Sequence, residues 1–419
     1  FSVIIQDYHI TKRLSGIAKN LFKTPVLWGG IQPILQPEQC INESEVDFIC
    51  TGEGEYALPE FLECLEHGED PMTVNGIWGK DTSGKIHRNG HPQLAEDLDA
   101  IPFPNRDLLD SKYYRAELTG ANILTARGCP FPCTFCQNKT LMDTYKGKGK
   151  FVRYRSLENV FMEMEQLIEK YDVPSFYLSD EMFTLNKGRV IDFCQEYKQR
   201  IKRPFMVQTR VDHMDKELAH ALSEAGCFMV NMAIESGNEH IRNIVLKKRV
   251  STEQVQEAYK LVHEHGMMTS SFNMIGVPEE TLDTIWETIE INRQLKPDRI
   301  LCSIFMPLPG TELWNYCENN NLITEDVEET TNYYSQVVVK NPSLSSSTLI
   351  GYQGFFDWYV LLPYRIHWFV HILRIVYQSL VSPTIPKNPV KRKLREIIVE
   401  FVYQLKQYLP QKELRIKVR

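Results

Sequence analysis

From Ala121 to Gly310 the chain repeats one pattern: a short run rich in β-branched and aromatic residues, then an amphipathic helical stretch. The runs are "NILTA", "SFYLSD", "FMVQTR", "FMVNMAIES", "TSSFNMIG" and "RILCSIFMPLPG". Helical stretches such as "SLENVFMEMEQLIEKY" and "STEQVQEAYKLVHEHG" lie between them. Strands that alternate with helices run parallel, because each helix returns the chain to the same end of the sheet. Six such runs predict a parallel (β/α) barrel, complete or partial, with its active site at the carboxyl ends of the strands. The chemistry is therefore expected in the residues that follow each run.

Residues 1–75 carry a shorter version of the same logic. "FSVII" and "PVLWGG" read as strands, and Leu14, Ile17, Ala18 and Leu21 share one face of a helix between them. "VDFICTGEGEYALPEFLECL" reads as strand, glycine turn and helix. This alternation predicts a doubly wound parallel sheet whose ligand lies at the strand ends, beside Gly29, Gly30, Gly52 and Gly54. "GIWGKDTSGKIHRNGHPQ" predicts a hairpin, and Pro102 and Pro104 stiffen the linker that follows. The expected division is 1–75, 76–118 for hairpin and linker, 119–318 for the barrel, and 319–419 for a helical extension.

Bulk properties exclude little but are consistent with this. A net charge of −7 argues against a general nucleic-acid binder. Ten cysteines, scattered apart from one cluster, suggest a reduced, cytoplasmic chain. The apolar stretch from Phe355 to Val381 is broken by Asp357, Pro363, Arg365, His367, His371 and Arg374, so it does not read as a spanning helix.

The cluster is "CPFPCTFC", which places Cys129, Cys133 and Cys136 after the first barrel run. Three thiolates can hold three corners of a cubane iron–sulfur cluster, leaving one iron open, as in a catalytic rather than a structural metal centre. The rival is a zinc site completed by a distant Cys194, Cys227 or Cys302.

The segment "TARGCPFPCTFC" resembles the signature of the radical S-adenosylmethionine (radical SAM) enzymes. "VLWGGIQPILQPEQ", "DFICTGEGE" and "DLDAIPFPNRDLL" resemble the subgroup with an amino-terminal cobalamin-binding domain, which contains oxidative cyclases of tetrapyrrole synthesis and cobalamin-dependent methyltransferases. The resemblance spans residues 1–315. It implies an α/β architecture: a truncated, flavodoxin-like, doubly wound cobalamin domain whose first strands precede Phe1, then a partial TIM-like barrel and a helical tail. It also implies a 4Fe–4S cluster that cleaves S-adenosylmethionine (SAM) to a 5′-deoxyadenosyl radical, with an electron donor such as flavodoxin or ferredoxin.

Carried onto this sequence, the resemblance places Phe135 near the adenine and either Asp180 or Glu181 on the methionine amino group. Arg210 would take the methionine carboxylate, and Glu235 with Ser236 the ribose. "NMIGVPEE" supplies Gly276 and Glu279 near the adenine, although Phe272 stands where the family has glycine. Gly29, Gly30, Gly52, Glu53 and Gly54 would line the cobalamin, and "MPLPGTEL" would shape the substrate mouth. His9 is not read as a cobalt ligand, because Lys12 replaces the glycine of that motif, and the "HEH" at His263 to His265 reads as a solvated helix end.

In the tail, aromatic and aliphatic residues from Phe355 to Val381 precede a basic end from Lys387 to Arg419. The favoured reading is a helical cap that packs on the barrel with its basic face to water. The other is peripheral membrane contact, which would fit a lipid-like rather than another small-molecule substrate. The expected function is radical methyl transfer or oxidative cyclisation. The rivals are a radical SAM enzyme without cobalamin and a non-catalytic zinc or iron–sulfur protein.

Overall fold

The computed structural model describes residues 1–108, 110, 120–324 and 336–381. Compactness divides the chain into two units that interleave in sequence. The first takes Phe1–Ile101, Gly128–Arg153 and Pro307–Asn332; the second takes Pro102–Arg127, Tyr154–Met306 and Tyr333–Arg419. This differs from the linear division expected above, because the cysteine segment and the stretch after the last barrel strand belong with residues 1–101.

In the first unit, strands β1 (Leu27–Trp28) and β2 (Phe48–Cys50) pair in parallel. The predicted hairpin, β3 (Ile77–Lys80) and β4 (Ile86–His87), adds to them antiparallel, so it completes this sheet instead of standing apart. "FSVII" contributes a single parallel bridge, Ser2 to Gly29. Helix α1 (Tyr8–Phe22) turns Tyr8, Thr11 and Ser15 inward, while Ile10, Leu14, Ile17 and Leu21 are exposed. The apolar face formed by Leu14, Ile17 and Leu21 is therefore the outer one. Small polar groups bury the other face by pairing: the Trp28 indole donates to the Ser15 hydroxyl at 2.8 Å.

The second unit contains the barrel wall. Strands β5 (Ala121–Ile123), β6 (Phe176–Leu178), β7 (Phe205–Thr209), β8 (Cys227–Glu235), β9 (Met268–Ile275) and β10 (Arg299–Ile304) are all parallel and lie in chain order. Alternate residues decide the faces. Phe176, Leu178, Phe205, Val207, Val230, Met232 and Ile234 pack into one core with the return helices, which contribute residues such as Phe161, Phe193, Tyr197 and Tyr259. The opposite face carries Tyr177, Gln208 and Asn231; Gln208, Asn231 and Ser270 are aligned in register on neighbouring strands. The Tyr177 hydroxyl donates to Gln208 Oε1 at 2.9 Å.

The return helices start where the sequence supplies an N-cap oxygen. Ser156, Asn186, Asp215, Ser251 and Thr281 each accept a backbone N–H of the first turn. Each such cap is worth about 1 kcal/mol and fixes the register of the helix on the sheet.

Helix α2 (Ser346–Leu361) packs through Leu349, Tyr352, Phe355 and Tyr359 onto Ile275, Ile285, Ile289 and Ile304, which fits the cap reading. Helix α3 (His367–Val381) turns Arg374 inward, where its guanidinium lies 4.3 Å from the Tyr352 ring centroid and donates to the Tyr359 hydroxyl. Trp368, Phe369, Ile372, Ile375 and Val376 face outward. The outward face of this helix is apolar, and the basic end from Lys387, on which the expected basic face rests, lies outside the described residues. No described helix is long and apolar enough to cross a membrane.

Candidate functional site

In the first unit the cysteine segment runs as an irregular loop into a helix, Gln137–Thr144. Its entry needs glycine. Gly128 has φ +89°, and a Cβ there would lie 2.4 Å from the Phe151 carbonyl oxygen. Cys129, Cys133 and Cys136 are all thiols, Cys133 buried and the other two half-buried. The Cys136 amide donates to the Cys133 carbonyl at 3.2 Å, and Asn138 Nδ2 approaches the Cys136 sulfur at 3.8 Å. Burial pushes the Cys136 thiol up to about 11, and the neighbouring Cys133 and Cys129 add to the rise. Positive iron would offset that cost and hold the thiolates.

The donor set fits a cluster. The three thiols lie on one short loop and thiolate is the ligand such a cluster takes, although among the described residues no three His, Cys, Asp or Glu side chains, these cysteines included, are already gathered around one ion. The cysteines offered as a fourth zinc ligand are committed elsewhere. Cys194 and Cys227 sit in the barrel core, where burial pushes Cys194 to about 12 and Cys227 higher still. Cys302 is packed under the tail helix.

"MPLPGTEL" has a second task that the sequence did not reveal. The Thr140 hydroxyl donates to the Gly310 carbonyl at 3.0 Å, and the Leu313 amide donates to the Thr134 carbonyl at 2.9 Å. These bonds fasten the cysteine loop and its helix to a segment 170 residues on from Thr140, and Phe135 lies half-buried beside them.

Of the glycines expected to line cobalamin, Gly30 and Gly52 have no room for a side chain, whereas a Cβ on Gly54 would meet nothing within 4 Å. Gly30 has φ +90°, with the Val3 amide 2.9 Å from where a Cβ would sit, and a Cβ on Gly52 would strike Pro92. Gly29 bonds to the Phe1 carbonyl through its amide, and Gly54 begins the helix Gly54–His67. Glu53 is engaged otherwise: its carboxylate takes both arms of the Arg153 guanidinium, at 2.6 and 2.8 Å.

In the second unit the strand ends hold most of the remaining residues. Asp180 is buried, and its carboxylate accepts from the Thr125 amide and hydroxyl, each at 2.6 Å, and from the Ala126 amide at 3.1 Å. Burial pushes its pKa up to about 6 against those three bonds. It therefore secures the end of β5, while the adjacent Glu181 is exposed.

Arg210 is buried and forked onto Asp212 at 2.9 Å by both Nε and Nη2, and Nη2 also reaches the Lys248 carbonyl at 2.7 Å. Lys248 Nζ in turn donates to Glu235 at 3.0 Å. Glu235 follows a bulge in β8 and has φ +66°, so its side chain leaves the strand direction. Arg210 and Glu235 thus join one network through two residues not predicted, Asp212 and Lys248. Lys247 and Arg249 both have positive φ, which turns Lys248 inward between them. Nothing in the basic run "KKR" distinguishes its middle residue.

Ser236 is fully buried, and its hydroxyl accepts from the Asn238 amide. Gly276 has φ +85°. Glu279 has φ +67° and pairs at the surface with His240, whereas the next residue, Glu280, folds inward onto the Gly276 amide. Burial pushes Glu280 up to about 8. His263 does not project freely: its Nε2 lies 2.9 Å from Thr269 Oγ1 and 3.3 Å from Asp298.

Comparison with known proteins agrees with this architecture. The model of the radical SAM superfamily matches residues 123–291. An uncharacterized methyltransferase of Pyrococcus horikoshii is 31% identical over 325 residues, covering 77% of this chain and 68% of that protein. An anaerobic magnesium-protoporphyrin IX monomethyl ester cyclase of Rubrivivax gelatinosus is 28% identical, covering 68% of this chain and 52% of that one, so the chain spans about half of that relative. Among solved structures, the radical SAM methyltransferase TsrM of Kitasatospora setae, with cobalamin and a 4Fe–4S cluster bound, superposes at TM-score 0.66 with 18% identity, covering 95% of this chain and 84% of that one. The cobalamin-dependent enzyme OxsB superposes at TM-score 0.66 with 18% identity, covering 97% and 66%. At such identities the two structures speak to fold alone. With the matched family model, the relative from Pyrococcus and the three-cysteine loop, the chain belongs to the radical SAM superfamily.

Proposed function

We propose that this chain is a cobalamin-using radical SAM enzyme that acts on a small molecule by methyl transfer or oxidative bond formation. The observation that carries the reading is the loop holding Cys129, Cys133 and Cys136, with three thiols and no fourth cysteine along it. Support for cobalamin comes from the same-fold structures that hold it and from the paired glycine turns of the first unit. When bound, the cluster would supply the electron for reductive cleavage of SAM, and cobalamin would carry the methyl group.

The chain's own residues then divide the work. The three cysteines hold three irons. Glu181, exposed at its strand end, suits the methionine ammonium better than Asp180, whose oxygens are committed to Thr125 and Ala126. Arg210 is assigned to the methionine carboxylate. Its planar fork is already fixed by Asp212, so little side-chain entropy is lost on binding. Glu235 is assigned to the ribose hydroxyls, with the Lys248 ammonium holding its side chain in place. Phe135, Ser236, Gly276 and Glu279 are assigned to shaping the adenosine pocket, Ser236 and Glu279 indirectly through the turns they hold. Gly29, Gly30, Gly52 and Gly54 are assigned to backbone contact with cobalamin. An electron donor of the flavodoxin or ferredoxin kind belongs to this proposal. A second reading, a lipid-like substrate met at a membrane surface, is favoured by the outward Trp368, Phe369, Ile372 and Ile375.

The test is anaerobic reconstitution with iron, sulfide, cobalamin, reductant and SAM, followed by mass spectrometry. 5′-Deoxyadenosine together with S-adenosylhomocysteine and a corrinoid absorbance is the expected result. 5′-Deoxyadenosine without bound corrinoid would leave a radical SAM enzyme that lacks cobalamin. Zinc in place of iron, with no product, would overturn the enzyme reading.

A further inference from the structure

The short cysteine loop and the helix after it form the segment Gly128–Arg153, and a cluster needs the three thiols held in place. Where its exit is fastened is visible in the first unit. Arg153 closes the segment and is 7% exposed. Its Nη1 donates to Glu53 Oε2 at 2.8 Å and to the Ala95 carbonyl at 2.7 Å, and its Nη2 donates to Glu53 Oε1 at 2.6 Å. Glu53 Oε2 also accepts the Ala95 amide at 2.8 Å. One carboxylate and one guanidinium thus bind three stretches of chain: the "TGEGE" turn, the segment around Ala95 and the loop exit.

Further bonds run the same way. The Tyr145 hydroxyl donates to the Thr51 carbonyl at 3.2 Å, and the His91 ring meets that carbonyl at 2.8 Å and the Tyr145 ring edge-on. The Leu94 amide donates to the Lys148 carbonyl at 2.8 Å. At the entry, Gly128 lies against the Phe151 carbonyl, so entry and exit are held together.

We infer that Glu53 and Arg153 are positioning residues: their part-buried, two-armed pair fixes the exit of the cysteine segment to the "TGEGE" turn and so sets where the three thiols stand. Glu53 acts on the loop rather than on a ligand of its own. A two-armed pair resists rotation as well as separation, which a lysine at 153 would not. The inference adds a positioning role to the proposed cluster site and rests on that reading only where iron is measured.

The test reads the loop in the metal-free chain. Thiol alkylation by iodoacetamide is followed peptide by peptide under anaerobic conditions for Cys129, Cys136 and, as an internal standard, the barrel-core Cys227. In Arg153→Met and Glu53→Gln, Cys129 and Cys136 are expected to react about tenfold faster than in the parent chain, with Cys227 silent, because local opening without global unfolding exposes only the loop. Arg153→Lys keeps the charge but loses the fork, and about threefold is expected. The double variant removes both part-buried charges, so its urea midpoint should recover toward the parent value while loop reactivity stays high; a role confined to stability would move the two together. Parent-like loop rates in Arg153→Met would overturn the inference. So would Cys227 rising in step with the loop in every variant, Arg153→Lys included. Iron content after reconstitution is read separately. A chain that takes up no iron at all, parent included, sinks the cluster reading and leaves the alkylation result standing.

Discussion

The barrel wall and the cysteine loop are built by opposite means. In the wall, every second residue enters one apolar core, and a helix start every thirty or so residues is set by a single capping oxygen. Order there is local and repeated. The loop is held by polar bonds to segments far away in sequence, such as Gly310, Leu313, Glu53 and Ala95. The wall should therefore yield gradually to substitution. The loop should lose its function while leaving the fold intact.

The largest effect expected sharpens that contrast. Cys133→Ala removes a ligand and should abolish 5′-deoxyadenosine formation, while the urea midpoint stays within the error of the parent. Loss of both together would show that the loop also carries the fold. The opposite pattern is expected for Arg242→Met. Arg242 is fully buried behind β8 and donates to the Val250 and Ser236 carbonyls and to Thr252 Oγ1 at 2.8–2.9 Å. Removing it strands those acceptors and should cost roughly 3–5 kcal/mol in urea titration. The shift would also move Glu235, so the apparent affinity for SAM should fall with it.

A third prediction concerns pH and belongs to the wall. Glu280 has a folded pKa of about 8 against an ordinary 4.5, and Asp180 has about 6 against 3.8. The folded state thus keeps protons that the unfolded chain releases. Their contribution to stability is fully present below about pH 4 and is lost as pH rises through 6 and then 8. Glu280→Gln is already neutral and should flatten the loss between pH 5 and 8 by on the order of 2 kcal/mol. An unchanged slope would mean that Glu280 is ionised in the fold.

How far the sequence reached follows the same division. The six barrel strands and their return helices were legible because the apolar period that marks them is local. The three cysteines were legible because their spacing is itself the chemistry. Lys248 and Asp212 were not, since a lysine in "KKR" turns inward only through left-handed backbone on either side. The inward turn of Glu280 was not legible for the same kind of reason: which of two adjacent carboxylates faces in depends on φ, and Glu279 takes the left-handed turn. Which face of α1 turns inward was not legible, since its apolar spacing marks the outer face and Tyr8, Thr11 and Ser15 are the buried residues. The brace of Glu53 and Arg153 joins residues a hundred apart, beyond any local pattern.

The smallest expected effect tests the two sides of the tail. Phe355 on α2 is fully buried and Ile372 on α3 is 50% exposed, although both lie in one aromatic-rich stretch. Phe355→Ala opens a cavity against the wall and should cost about 3–5 kcal/mol. Ile372→Glu meets only water and should change stability by no more than about 0.5 kcal/mol. The same substitution discriminates what the outward face is for. A ridge of Trp368, Phe369, Ile372, Ile375 and Val376 that meets lipid should lose flotation with vesicles of phosphatidylglycerol and phosphatidylcholine when one charge is placed at its centre. If the parent chain floats and Ile372→Glu floats equally, lipid contact is not made through this face. If neither floats, the tail is a cap on the wall and its outer side is ordinary surface.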